Sequence, residues 1–244
     1  HLMNVAILNK YGYKISNIQG MSADEISKSV VDLSQQDIDN EHLVDNLVMS
    51  MIEMDEKKFD KIISSSIIKH GFEYTFENIL FRFLEKAGML WQTGGVYPAQ
   101  EHFISQLIRQ KLILAIDSQN EQRPGNKTFL LFLPENEYHE LGLLYLNFLI
   151  RKRGHTVVYL GQNVPLVNLK NVLSGHKIDF LLTSIASNLP EENIAEIVQE
   201  LNSLYGDKQV LIGGHCFLGN AVTFPPNFTL FKNIPDFIEF LNTL

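Results

Sequence analysis

Phe129-Leu130-Leu131-Phe132-Leu133-Pro134 is an apolar run of strand length; after Glu135 and Asn136 the chain reads Glu137-Tyr138-His139-Glu140-Leu141-Gly142. Further short apolar runs at 156–160, 178–183 and 208–212 alternate with segments of helical period near 139–153, 165–174, 190–204 and 234–243. A weaker fifth strand is expected at Phe228 to Phe231. Such alternation predicts a parallel sheet with helices on both faces. Five strands in about 120 residues suggest a flavodoxin-like (Rossmann-type) order, which binds ligands at the carboxyl ends of its strands. Glu137 and its neighbours, Gly142 included, are expected in the loop at that edge.

Upstream of this α/β region the period is helical throughout. Leu43, Leu47, Val48, Met51 and Ile52 form one stripe, and Phe59, Ile62, Ile63 and Ile67 a second. Phe76, Ile79, Leu80, Phe83, Leu84 and Ala87 form a third, expected to end near Gly88. A last helix is expected to begin at Pro98, with Leu107, Ile108, Leu112 and Ala115 on its apolar face. Ser22 and Glu25 have the spacing of a capping box. These features predict an all-α antiparallel bundle over 22–118, a polar linker at 119–126, and the α/β domain over 127–244, after a short leader at 3–21.

Composition narrows the function. No run of 18 apolar residues occurs, so no membrane span is expected, and the first twenty residues lack the apolar core of a signal peptide. His1-Leu2 ahead of Met3 reads as an expression remnant. Cys216 is the only cysteine among 244 residues. It rules out an intrachain disulfide and suits a reducing cytoplasm. Cys216 is either a nucleophile or redox sensor, or a small, partly buried side chain, the second being the common case. The net charge of −8, with no stretch that concentrates Lys and Arg, makes the chain by itself a poor partner for nucleic acid.

Three pieces carry the chemistry: Glu137-x-His139-x-x-Gly142, Ser184-Ile185-Ala186 and Gly213-Gly214, separated by residues 143–183 and 187–212. Taken singly, a histidine after a strand is a polar loop residue, and Ser-x-Ala or Gly-Gly is turn chemistry. In this order and spacing they resemble the D-x-H-x-x-G … S-x-L … G-G pattern of cobalamin-binding domains. The resemblance implies that His139 is the lower axial cobalt ligand, with a carboxylate at 137 accepting its second ring N–H. It also implies that Gly142 allows close approach, and that Ser184 and Gly213-Gly214 line the channel for the displaced nucleotide tail. Two positions depart from the pattern: Glu137 replaces the usual Asp, and Ala186 the usual Leu.

A second constellation lies in the bundle. Trp91 is the only tryptophan, and residues 92–100 separate it from Glu101-His102. On residues alone Trp91 reads as a core anchor, Glu101 as a first-turn carboxylate favoured by the helix dipole, and His102 as a partly exposed helix residue. The W-x9-E-H arrangement resembles MerR-type, adenosylcobalamin-dependent photoreceptor regulators, in which the bundle covers the upper corrin face and these three residues lie near the upper ligand. The leader agrees: Gly12-Tyr13-Lys14-Ile15-Ser16-Asn17-Ile18 and Met21-Ser22 resemble the tail of a MerR-type winged helix-turn-helix domain. Gln92 stands where light-responding relatives would place a second histidine, with His102 as a possible substitute. His42, His70, His155 and His176 read as structural, and His215 as a residue that could touch the cofactor tail.

The resemblance implies a non-enzymatic, cytoplasmic sensor region of a transcriptional regulator. It would hold adenosylcobalamin (or methylcobalamin or another cobalamin), form a homo-oligomer, and reach DNA through a domain mostly absent from this chain. Two alternatives stay open: a corrinoid shuttle protein of a methyltransferase system, and a regulator's oligomerisation module that has lost its cofactor.

Overall fold

The structure is a computed structural model that describes residues 4–5, 8–9, 13–119, 127–187, 190–206, 208–217 and 222–244. Most of the leader's start, Gly12 included, and the linker beyond Gln119 lie outside the described residues. The chain forms two compact units, His1–Ser105 and Gln106–Leu244.

The first unit is helical. A one-turn helix, α1 (Ile15–Ile18), buries Ile18 with Leu8 and Ile26. Next comes α2 (Ala23–Ile52), whose Ser22 N-cap makes both bonds of the expected capping box with Glu25. Asp55 caps α3 (Glu56–His70) by accepting the Lys58 N–H at 3.0 Å. The third apolar stripe is not one regular helix. It comprises α4 (Phe72–Thr75), a π-helical turn at Phe76–Leu80, and α5 (Phe81–Gln92). The π-turn buries Phe76, Ile79 and Leu80 together.

This stripe ends later than the sequence suggests. Gly88 sits within α5, where an added Cβ would meet open space. The terminator is the next glycine pair: Gly94 takes φ +74° and the Gly95 N–H donates to Leu90 O at 2.7 Å. Ion pairs join Asp37 to Arg82 and Asp45 to Lys86. Both pairs advance along α2 and α5 together, so these helices run in the same direction, as alternate members of an up-down bundle do. Pro98 opens α6 (Pro98–Asp117), as expected, and Ile104, Leu107, Ile108 and Leu112 are its buried residues.

The second unit is a five-stranded, wholly parallel sheet in the order β2-β1-β3-β4-β5. Its strands are β1 (Thr128–Pro134), β2 (Thr156–Val164), β3 (Phe180–Ser184), β4 (Gln209–Gly213) and β5 (Phe228–Phe231). The intervening helices are α7 (Glu140–Lys152), α8 (Leu166–Gly175) and α9 (Glu191–Tyr205), and α10 (Ile234–Leu241) follows β5. This is the flavodoxin-like order predicted from the alternation. β1, β3 and β4 are nearly continuous in buried apolar residues, as strands covered on both faces must be.

The second strand outruns its predicted end at 160. Its pairing with β1 shifts register twice, after Leu131 and after Phe132, which carries β2 on to Val164. A bulge of this kind re-aims neighbouring side chains. Because β1 lies between β2 and β3, the loop that follows it occupies the switch point where open α/β sheets leave a crevice.

Candidate functional site

The loop after β1 is tied down from several sides. Asn136 (φ +64°) donates its N–H to Asn163 Oδ1 at 3.0 Å, and the Asn163 N–H returns to Glu137 O at 3.2 Å. Glu137 itself is 3% exposed. Its Oε1 accepts the His139 backbone N–H at 3.0 Å and lies 2.5 Å from His139 Nδ1. Its Oε2 accepts the backbone N–H groups of Ala186 and Ser187, each at 2.9 Å. The extra methylene of Glu over Asp lets one carboxylate serve the loops after both β1 and β3.

Burial alone would raise the Glu137 pKa. The His139 ring hydrogen bond, then the Ser187 and His139 backbone N–H groups and the His139 charge, outweigh it and hold the carboxyl at about 2. An ionised carboxylate only accepts, so the proton between them belongs to Nδ1. In the neutral ring, the lone pair then sits on Nε2. That is the tautomer of a metal-binding histidine whose second nitrogen is fixed by a carboxylate. The His139 side chain is 65% exposed, against 3% for Glu137. The imidazole is thus held at Nδ1 by a buried carboxylate while most of its own surface is exposed.

The remaining signature residues divide. Gly142 lies in the first turn of α7 rather than in the loop as expected, because the helix begins at Glu140. An added Cβ there would touch nothing within 4 Å, so the fold itself leaves room for a side chain. Ser184 is the last residue of β3 and is partly buried. Gly213 ends β4 and Gly214 follows it, but the reason for glycine is internal. A Cβ on Gly213 would lie 2.2 Å from the Phe231 ring, and one on Gly214 (φ +121°) 2.0 Å from Ile185 O. Both residues accommodate the protein's own atoms, whatever else passes nearby.

In the first unit, Trp91 stands in the last turn of α5 and is 54% exposed, so it is not the core anchor that a lone tryptophan suggests. Met89 and Tyr97 are exposed on the same short stretch. Glu101 occupies the first turn of α6, and its Oε2 lies 3.1 Å from His102 Nδ1. The Cys216 thiol is buried, and burial followed by the Glu137 charge pushes its pKa up to about 12, an unreactive state.

Two features escaped the sequence reading. Ser187 completes the Glu137 clamp through its N–H, with its Oγ 3.4 Å from His139 Nδ1. Glu140, beside His139, accepts from Arg109 Nε at 2.9 Å and from Tyr159 OH at 3.1 Å. Neither could be found by spacing, since the partners lie 19 to 50 residues apart. Among the described residues no group of three or more His, Cys, Asp or Glu could hold a metal ion, and no helix is long and apolar enough to cross a membrane.

A helical region followed by this five-stranded sheet, with a carboxylate-fixed histidine at the switch point, has the Rossmann-like fold of cobalamin-binding proteins. At a TM-score of 0.67 and 13% identity, the fold matches a monomethylamine corrinoid protein of Methanosarcina barkeri, over 84% of this chain and all of that one. Residues 43–115 match the family model described as the B12 binding domain. The chain is related to HTH-type transcriptional repressors of Myxococcus xanthus. It is 31% identical to CarH over 140 residues (57% of this chain, 46% of that protein) and 28% identical to CarA over 116 residues (48% and 40%). It therefore spans less than half the length of either repressor.

Proposed function

We propose that this chain is the cobalamin-binding sensor region of a MerR-type transcriptional regulator, with adenosylcobalamin as cofactor and light as its signal. The observation that carries the reading is His139, fixed through Nδ1 by a buried, ionised Glu137 at the switch point of the sheet. The relation to the CarH and CarA repressors supports the regulatory half of it.

The residues present fit the cofactor. His139 Nε2 is the nitrogen that would take cobalt, and Glu137, by holding the proton on Nδ1, makes Nε2 the better donor. Gly142, in the first turn of α7 with open space beside it, leaves room for a large planar ligand. Exposed Trp91, with Glu101 and His102, would supply the contacts near the upper ligand that the resemblance implies. Bound adenosylcobalamin supplies a cobalt–carbon bond that light can break. The chain's own part is to ligate, to orient, and to hold two packing states that differ by the presence of the upper ligand.

In this reading the dark form is a homo-oligomer that grips DNA through a domain largely outside this chain, and loss of the upper ligand shifts the assembly. No turnover is involved. The test is to mix the purified chain with adenosylcobalamin in darkness, desalt it, and record its absorption spectrum before and after green light. A retained, histidine-ligated spectrum that changes on illumination supports the proposal. Retention without a protein-specific light response points instead to a corrinoid carrier, and loss of all colour on desalting removes cobalamin from the account.

A further inference from the structure

All five strands run parallel, so they begin at one edge of the sheet, and the loop of Glu137 and His139 lies at the other. The starting edge collects positive charge from separate parts of the chain. Lys127 precedes β1, Lys177 lies in the turn into β3, and Lys208 precedes β4; Arg151 and Lys152 end α7, and Arg153 follows them ahead of β2. Phe129 pairs with Phe180, and Phe180 with Gln209, which sets the three isolated lysines at the heads of adjacent strands. Neighbouring strands lie about 4.8 Å apart, so the row spans about 10 Å. Glu135, Glu137 and Glu140 give the His139 edge the opposite sign.

The fold itself uses some of these cations. Arg151 donates from Nε to Asn147 Oδ1 at 2.8 Å and from Nη2 to Val157 O at 3.0 Å. Arg153 donates to Asn242 Oδ1 at 3.3 Å and to Leu149 O at 3.2 Å. Lys152 lies over the Phe148 ring. By contrast, Lys127, Lys177 and Lys208 are all exposed, and none of them forms an ion pair among the described residues. Asp179, beside them in the turn before β3, is engaged elsewhere: its Oδ2 accepts the Thr128 N–H at 2.8 Å. Asp207 lies outside the described residues. A cation near a helix C-terminus is favourable in its own right, and α7, α8 and α9 end at this edge, but Lys127 closes no helix.

We propose that this basic edge is a contact surface for the phosphate backbone of duplex DNA, with Lys127, Lys177 and Lys208 facing the phosphates. This rests on the reading of the chain as part of a DNA-bound regulator. Exposed amines in a row donate to phosphate oxygens without reading base sequence. One DNA strand carries a charge about every 3.4 Å along the axis, so a row of about 10 Å meets about three phosphates. The chain's net charge of −8 keeps such a contact weak when it acts alone. Once a linked domain holds the same duplex, the contact becomes intramolecular and a weak surface counts. Its place opposite His139 leaves the cofactor edge open while DNA is bound.

The experiment uses the whole chain and a fluorescently labelled duplex of arbitrary sequence, with binding read by anisotropy between about 50 and 200 mM salt. Log affinity against log salt is expected to fall with a slope of about −3. Lys127→Gln, Lys177→Gln and Lys208→Gln should each make the slope shallower by about one, and the triple variant should bind at least about tenfold more weakly at the lowest salt. Lys232→Gln, just past β5 at the other edge, should leave the slope unchanged. The substituted lysines are exposed, so the variants keep the fold, and hydroxocobalamin retention is measured on the same samples. A wild type that does not bind the duplex at the lowest salt, or a slope that the triple variant leaves unchanged, would overturn the proposal. Binding of polyglutamate as tight as that of the duplex would reassign the edge to an acidic protein and overturn it equally. A wild type that retains no cobalamin would sink the functional reading, while the salt slopes still decide whether this edge contacts DNA.

Discussion

His139 Nδ1 lies 2.5 Å from Glu137 Oε1, and the other oxygen of the same carboxylate accepts two backbone N–H groups from the loop after β3. The histidine that a cofactor would use is therefore coupled to the closure of two loops by one buried charge.

Replacing Glu137 by Gln exchanges an accepting oxygen for an amide NH2. In either orientation that group faces N–H donors, from His139 on one side or from Ala186 and Ser187 on the other. The variant should lose about 2 kcal/mol of unfolding free energy in urea without cofactor, since buried donors are left unsatisfied. Glu137→Asp should also be destabilised, because its shorter arm cannot serve both loops.

The three glycines should behave differently. Gly214→Ala forces a Cβ against Ile185 backbone at 2.0 Å, in a conformation that L side chains rarely adopt, and should cost about 3 kcal/mol or prevent folding. Gly213→Ala meets the Phe231 ring at 2.2 Å and should be nearly as damaging. Gly142→Ala meets nothing and lies in a helix, so it should raise the apo-protein's stability by up to about 1 kcal/mol. If it nevertheless weakens cobalamin retention, the corrin approaches α7 there.

Trp91→Ala removes an exposed side chain and should leave stability within about 0.5 kcal/mol of wild type by thermal melting. On the proposed function, the same variant should retain adenosylcobalamin less well. A large loss of stability would instead return Trp91 to a packing role.

His155 provides a pH signature of the α/β unit. Its ring sits 5.6 Å from that of Phe129, its Nδ1 is buried with no hydrogen-bond partner among the described residues, and burial, then Arg153 and Lys127, lower its pKa below 6.5. The folded chain resists a proton that the unfolded chain accepts. His155 thus supports stability above pH 6.5, and that support fades as pH falls from there toward the folded value, by at most about 1.4 kcal/mol per pH unit. His155→Leu should flatten this decline, and urea unfolding at pH 7.5 and 5.5 will show whether it does.

Much of this fold could be read from the chain. Alternating apolar runs gave the strand order, and with it the sheet edge that carries the loop after β1, because period and run length are local properties. Where tertiary context intervened, the reading slipped. The second strand ran past 160 through a register shift, α5 passed Gly88 and stopped at Gly94, and a π-turn interrupted a regular stripe. At the site, the contact between Glu137 and His139 lay within reach of sequence because the two are separated by one residue. The roles of Ser187, Arg109 and Tyr159 did not, since nothing local marks a partner on another strand or helix. Gly213-Gly214 teaches the opposite caution: the motif is present, but Phe231 and Ile185 already require it.

The most direct test of the account is electron paramagnetic resonance of the chain loaded with cobalamin and reduced to the cobalt(II) state, with all histidines labelled with nitrogen-15. The axial nitrogen splits each cobalt line, into three for nitrogen-14 and two for nitrogen-15. The account predicts two lines per cobalt component in the labelled protein, lost in His139→Gln. A three-line pattern unaffected by the label would mean that the cofactor keeps its own base, and would contradict the assignment of His139 as the ligand.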